Sequence, residues 1–345
     1  MGCAIQGIGI AGGFGCGLDA LETALQKREP VAQTVMAYGR DIPAALVSLE
    51  PLEKFFPRRS LRRVDHFSQL ALLGASLALE DAGTMVPSDR SRIGLIIASG
   101  YGPMGTTFAF LDSYLKGGDK FTSPTHFSYS VHNAAAANIS ILHQIHGPNL
   151  SVSQFEMSFA VALRTAQEWL AQGVVDAVLV GSVDEFCPEL GYCWQRYFDL
   201  GDPCSKLPTY TYPGEGTAFY LLTNGESAQH GFVKEVRFGK APLTEELSCV
   251  PLIVGRDGHA WCERMCYDIK ADLIASYTHC YGSFPTAQAF DMTAALVSLS
   301  RRYFYPSALL GELAGNGGDT IEGVDKIHCL KFDAQKQGAL ITVNR

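Results

Sequence analysis

Apolar positions along this chain switch repeatedly between the continuous or alternating runs of strands and the three-and-four spacing of helices. Residues 3–11, CAIQGIGIA, read as a first strand, and helical patterning follows from Leu18 to Leu25. Phe67, Leu70, Ala71, Ala75 and Leu79 recur at helical spacing, so residues 62–83 are expected to form an amphipathic helix closed by Asp81-Ala82-Gly83. Ile93 to Ala98 reads as a buried strand, and glycines 100, 102 and 105 lead into a helix carrying Phe108, Leu111 and Leu115. Residues 131–145 form an alanine-rich helix. Residues 147–163, GPNLSVSQFEMSFAVAL, then read as a strand, a sharp turn and a helix running to about Gly173. AVLVG at 177–181 and Ala218 to Leu222 are further strands. The second part repeats this grammar tersely: strands at Gly231–Phe238 and Val250–Val254, helices at Met265–Tyr277 and Ala287–Arg301, and a terminal hairpin of His328–Phe332 with Ala339–Val343. Buried strands alternating with helices predict an α/β fold. No low-complexity or Pro/Ser-rich linker divides the chain, so two similar halves fused about one core are expected, the second much the shorter.

Composition narrows the class. With 345 residues, 47% hydrophobic and only 18% charged, the chain is expected to bury large sheets or a subunit interface. No run reaches the roughly 18–20 apolar residues that span a bilayer. No basic segment precedes an apolar stretch at the start, so no secretory leader is expected. A net charge of −8 without a basic stripe argues against nucleic acid, and Arg58, Arg59, Arg62 and Arg63 read as a solvated helix start. The ten cysteines are scattered, as reduced thiols in the cytoplasm would be. Cys262 and Cys266 lack a second pair at metal-site spacing, so no metal is expected.

Gly7-x-Gly9-x-x-Gly12 after a strand matches a dinucleotide fingerprint, which leaves a nucleotide-dependent oxidoreductase as a rival reading. The helix is postponed, however, and no acidic residue ends a second strand about 20 residues on. A loop with close backbone packing is the preferred account. His126, His132, His143 and His146 are candidates for chemistry or for capping and surface roles, and Asp184 and Glu185 for paired carboxylates or ion pairing. Trp194, Tyr197 and Phe198 fit core or interface better than a cofactor box. The turn at 154–156 is where an α/β enzyme often holds a nucleophile beside a helix N-terminus. It carries Gln154, Phe155 and Glu156, with no Cys or Ser at its tip.

Taken in order, these segments resemble the ketosynthase family of the thiolase fold. The likeness lies in RVDHFSQ followed by LALLGASLALEDAG, in SPTHFSYSVHNAAAANISI at 123–141, in GPNLSVS before a helix, in AVLVGSVDE and in Gly214-Glu215-Gly216. It is clearest to about residue 225. The resemblance implies two pseudo-repeated βαβ halves, residues 1–228 and 229–345, in a layered α-β-α-β-α architecture. In ketosynthases a cysteine at the elbow takes the growing acyl chain, and two histidines support malonyl decarboxylation. Aligned without a gap, Glu156 occupies the cysteine position. His259 is the nearest counterpart of the first histidine, and Pro285 or a neighbour stands where the second belongs.

The resemblance therefore implies a chain-length factor. This is a ketosynthase-like subunit, without activity of its own, that pairs with a catalytic ketosynthase in a type II polyketide or polyene synthase. Its implied partners are that subunit, an acyl carrier protein reached mainly through it, and the growing polyketide chain. No cofactor, nucleic acid or membrane is implied, and the cytoplasm is the expected compartment. Phe108, Leu111 and Asp112, with Phe127 and Tyr129, are the expected tunnel residues. The alternative makes the chain an enzyme in its own right, with Glu156 as general base for malonyl-thioester decarboxylation or condensation, its pKa raised among Phe155, Met157 and Phe159.

Overall fold

Among the described residues, ten strands form the main path of the sheet on which the molecule is organised: β1 (Cys3–Gly12), β2 (Ile93–Ala98), β3 (Asn149–Val152), β4 (Ala177–Asp184), β5 (Gly216–Thr223), β6 (Phe232–Lys240), β7 (Leu252–Gly255), β8 (Ile274–Ala275), β9 (Lys326–Phe332) and β10 (Gln337–Asn344). The structure is a computed structural model and describes residues 2–200, 212–240, 247, 250–267, 269, 271–307 and 318–345. The strands run β8-β7-β9-β10-β6-β1-β5-β4-β2-β3 across the sheet, with the short Gly15–Cys16 strand beside β1. The order β3-β2-β4-β5-β1 thus recurs as β8-β7-β9-β10-β6. In each set the outer three strands are parallel and the inner pairings antiparallel. The sets meet where Cys3 and Ala4 of β1 pair with Val233 and Phe232 of β6.

Burial follows from this topology. All six residues of β2 are buried, because a central parallel strand is covered on both faces. Ile96 and Ala98 enter one core, Leu95 and Ile97 the other. The first core also holds α6 (Ser158–Ala171) and α9 (Gln288–Arg301); the second holds α2 (His66–Ala82) and α5 (Ala134–His143). The remaining helices that bear on function are α1 (Leu18–Lys27), α3 (Met104–Gly117), α4 (Pro124–Tyr129), α7 (Pro188–Leu200) and α8 (Ala260–Tyr267). Asp65 caps α2 by accepting from Ser68 N, and Gly83 ends it at φ 51°. In α9 every residue from Gln288 to Leu299 is buried. Two of its polar groups find partners inside: Gln288 Nε2 donates to the carbonyls of Cys329 and Ala339, and Thr293 Oγ1 meets the Tyr220 hydroxyl at 2.7 Å.

Two expectations change. The glycines at 7, 9 and 12 lie within β1 rather than in a loop. A Cβ on Gly9 would come within 2.1 Å of the Gly74 carbonyl, and one on Gly7 within 2.3 Å of that of Ala78. These glycines let α2 lie directly on the strand, so packing accounts for the motif that suggested a nucleotide site. The helix expected at 265–277 is instead α8, ending at Tyr267, followed by strand β8. Ile274 and Ala275 pair in parallel with Leu252 and Ile253, a long-range partnership that overrides local helical periodicity.

Gly9→Ala is expected to lower stability by about 3 kcal/mol or to prevent folding, since strand and helix backbones must separate. Urea unfolding with an unchanged midpoint would remove the close approach as a constraint.

Candidate functional site

Strand β3 ends at Val152, and the chain turns through Ser153 and Gln154 into a 3-10 turn, Phe155–Met157, ahead of α6. Phe155 has φ 44°, an uncommon conformation for a bulky residue that marks this turn as strained. The strained position is therefore one residue before Glu156. Ser158 holds the turn together: its Oγ accepts from Gln154 N at 2.7 Å and reaches the carbonyls of Phe155 and Ser99 at 2.7 and 3.1 Å. The Phe155 ring is exposed and meets Tyr101 edge-on. Glu156 is half-buried near the start of α6, where a carboxylate gains from the helix dipole.

Three segments converge at the elbow. A Cβ on Gly100 would lie 2.2 Å from Pro285 Cβ and 3.5 Å from Phe155 Cα, so only glycine permits this approach. Pro285, at the position where the resemblance expected a histidine, thus packs against the elbow. The buried Asp184 carboxylate ties these segments. Oδ1 accepts from Ser99 Oγ, Gly100 N and Tyr101 N at 2.9, 2.9 and 3.2 Å. Oδ2 accepts from Thr286 N and Oγ1 at 3.1 and 2.8 Å. Burial raises its pKa, and these donors oppose the rise.

Beneath the elbow lies a charged layer that periodicity did not reveal. Lys331, 1% exposed on β9, stands 3.7 Å from Asp257. Asp291 of α9 accepts from the Tyr281 hydroxyl, and burial lifts its pKa to about 6. Burial opposes the charge on Lys331, but Asp257, Cys262, Glu156 and Asp291 together hold its pKa above the ordinary value. Glu156 is raised by burial, with Asp257 adding to the rise and Lys331, its own backbone N–H and His259 opposing it. The elbow thus offers a carboxyl easier to protonate than usual, beside a buried ammonium. The available signals were a lone lysine inside HCLKF and a lone aspartate inside an alanine-rich helix.

Glu185, beside Asp184, does not join it as a catalytic pair. Its Oε1 accepts from Gly105 N at 2.6 Å at the start of α3, and burial lifts its pKa to about 7 against that bond and His66. Glu215 accepts from Val47 N, Phe186 N and His66 Nε2. Burial, the largest influence on His66, opposes its charge, yet Glu215, Glu185 and Asp65 raise its pKa. His143 lies elsewhere, bonded to Ser76 Oγ and pushed down to about 4 by burial. Of the expected tunnel residues, Phe108 and Tyr129 are half-buried, while Leu111, Asp112 and Phe127 are exposed. Asp112 pairs with Lys116, and Phe127 meets Phe110. None of the five lines the apolar cavity beside the elbow, whereas Trp194 and Tyr197 do. The Phe198 side chain lies outside the described residues. Among the described residues no helix is long and apolar enough to cross a membrane.

Residues 26–200 match the model of the beta-ketoacyl synthase N-terminal domain, and the chain belongs to this family. It is 28% identical over 193 residues to a 3-oxoacyl-[acyl-carrier-protein] synthase 2 of Rhizobium meliloti, covering 52% of this chain and 46% of that relative. The chain therefore spans less than half the length of the curated relatives it matches. The ishigamide ketosynthase/chain length factor superposes with a TM-score of 0.77 at 16% identity, covering 100% of this chain and 99% of the other. A ketosynthase in complex with its chain length factor from Xenorhabdus doucetiae gives 0.75 at 14%, covering 99% and 98%. These likenesses show the thiolase-like ketosynthase fold. The expectation of a subunit without activity of its own is corrected here: the curated relatives bear the name of a synthase, and no feature of the site shows this chain to be inactive.

Because the folded pKa of Glu185 lies above its ordinary 4.5 at about 7, its favourable contribution is complete below about pH 4.5 and is lost as pH rises toward 7. Glu185→Gln keeps an acceptor for Gly105 N and is expected to remove up to about 3 kcal/mol of that decline. Unfolding free energies from pH 4.5 to 8 check this; an undiminished slope would assign the decline to other carboxyls.

Proposed function

We propose that this member of the beta-ketoacyl synthase family acts as a chain-length-setting subunit of a type II polyketide-type synthase. In this reading it pairs with a second ketosynthase-fold subunit, and the acyl chain grows on an acyl carrier protein. The halves 1–228 and 229–345 are proposed as the two thiolase-like repeats. One observation carries the pairing: the two ends of the sheet differ. Strand β8 at one end is buried, whereas β3 at the other exposes Asn149 and Leu150. Near that end Ile141 of α5 and Phe155 just after β3 are exposed, and elsewhere in residues 104–129 Leu115, Phe121 and Phe127 are exposed as well, Leu115, Phe121 and Ile141 by more than 70%. An unpaired strand edge flanked by apolar side chains is costly in water and suits an obligate interface. Phe108, Leu111, Asp112, Phe127 and Tyr129 lie on α3 and α4, and in this reading they are the tunnel residues that a partner would complete.

A second reading is favoured by Glu156 itself. Its raised pKa and the neighbouring Lys331 suit proton transfer or the decarboxylation of a malonyl thioester. The synthase names of the curated relatives agree with chemistry in this chain.

Co-expression with the ketosynthase encoded beside it is expected to yield a stable heterodimer, and Ile141→Lys with Leu150→Lys to reduce co-purification at least tenfold without lowering the melting temperature. A stable active homodimer would sink the pairing. Purified protein with malonyl-carrier protein tests the second reading: CO2 release that falls at least tenfold in Glu156→Gln supports it, and absence of CO2 release refutes it.

A further inference from the structure

Strand β9 carries a lysine among apolar side chains. Lys331 shares a strand face with Ile327 and Cys329, which belong to the core that also holds α6 and α9, whereas Leu330 and Phe332 point to the core around α8. The strand also packs directly against the 155–157 turn. The Lys331 side chain therefore runs inside the molecule, beneath the elbow, and is 1% exposed. Its path is shaped for it. Gly255 is its cross-strand partner on β7, and a Cβ there would lie 2.7 Å from Lys331 Cδ and 2.9 Å from Asp291 Oδ2. The lysine stem and the carboxyl thus converge over a residue that must stay small. That Asp291 oxygen is buried and accepts no hydrogen bond among the described residues, so the ammonium is the charge that compensates it. Asp257 stands 3.7 Å from Lys331, and its Oδ1 accepts from His259 N at 3.0 Å.

We infer that Lys331 is a positioning residue for Glu156: its buried ammonium, fixed by Asp257 and Asp291, is the counter-charge on which the ionised form of the elbow carboxyl depends. Its use in catalysis rests on the second reading above, in which Glu156 does the chemistry, because a general base must be ionised to accept a proton. The pairing of charges does not rest on that reading. The 99–101 turn brings Tyr101 toward Glu156, the 257–259 segment brings Asp257 and His259, and β9 brings Lys331. The 285–287 turn, packed on the elbow from another side, carries no charged side chain. Of these groups Lys331 opposes the effect of burial most strongly, His259 opposes it less, and Asp257 acts with burial. Lys331 is enclosed, so it acts through Glu156 rather than on a substrate.

The titration of Glu156 tests this, followed by isotope-edited NMR of glutamate-labelled protein, with its resonance identified by loss in Glu156→Gln. In Lys331→Met the midpoint is expected to rise by about one pH unit or more. In Lys331→Arg, which keeps the charge, it is expected to stay near that of the unaltered chain. The acid limb of the pH profile for CO2 release from malonyl-carrier protein is expected to move upward by the same amount in Lys331→Met, because the base is ionised only above its midpoint. Lys331→Met strands two buried carboxyls; should it fail to fold, Lys331→Met with Asp291→Asn removes one of them and is titrated in its place. An unmoved midpoint in whichever of these folds overturns the inference. A larger rise in His259→Gln than in Lys331→Met also overturns it, by assigning the counter-charge to the imidazole. Absence of CO2 release in the unaltered chain would defeat the second reading while leaving the titration result standing. Release that depends on Glu156 beside an unmoved midpoint would do the reverse.

Discussion

The Asp184 carboxylate is the contact on which the elbow region depends. It stands at the end of β4, wholly buried, and gathers five donors from the 99–101 turn and from Thr286 ahead of α9. Hydrogen bonds to a charged group contribute about 1.5–3 kcal/mol each, and a buried donor left without its acceptor costs a similar amount. The carboxylate therefore both fastens β4 to the 99–101 turn and to the segment ahead of α9 and satisfies backbone groups that no ladder reaches. Tyr101 and Phe284, which wall the cavity, take their positions from the same two segments.

Around that anchor the protein concentrates strain and charge. Phe155 adopts a left-handed conformation, which a bulky side chain holds only where neighbouring structure over-determines it. Here Ser158 bonds the turn from within, and Gly100 and Pro285 press against it from outside. Lys331 is tolerated in the interior because Asp257, Asp291 and Glu156 surround it; a lone ammonium there would neutralise. Burial lifts the pKa of both Glu156 and Asp291, and the Lys331 charge opposes the rise in each.

Much of the fold was legible from periodicity. The span of α2, the buried β2, and the closing hairpin of β9 and β10 each carry a local pattern that tertiary contacts reinforce. The stretch at 265–277 was not legible, because a two-residue strand at a sheet end has too little pattern of its own and exists through pairing with β7. Gly7 and Gly9 were visible as a motif, but only the crossing of α2 shows that they answer to packing. At the site, the absence of a nucleophile at the elbow and the oddity of Glu156 were plain in the chain. The strain at Phe155, one residue earlier, was not, since backbone dihedrals at a turn depend on what presses on it.

The order of residues by itself determined the α/β class, the strand–turn–helix elbow with a carboxylate at its tip, and the apolar surplus. All of these are local or compositional, and short-range sterics and hydrophobic spacing suffice for them. Tertiary structure alone decided that Asp184 and Glu185, adjacent in the chain, serve different neighbours. It also decided that Lys331 and Asp291 share a layer with Glu156, and that Trp194, Tyr197 and His259 wall one cavity. The physical reason is that a buried charge or an open cavity is set by groups brought together from distant parts of the chain. No window along the chain contains them all.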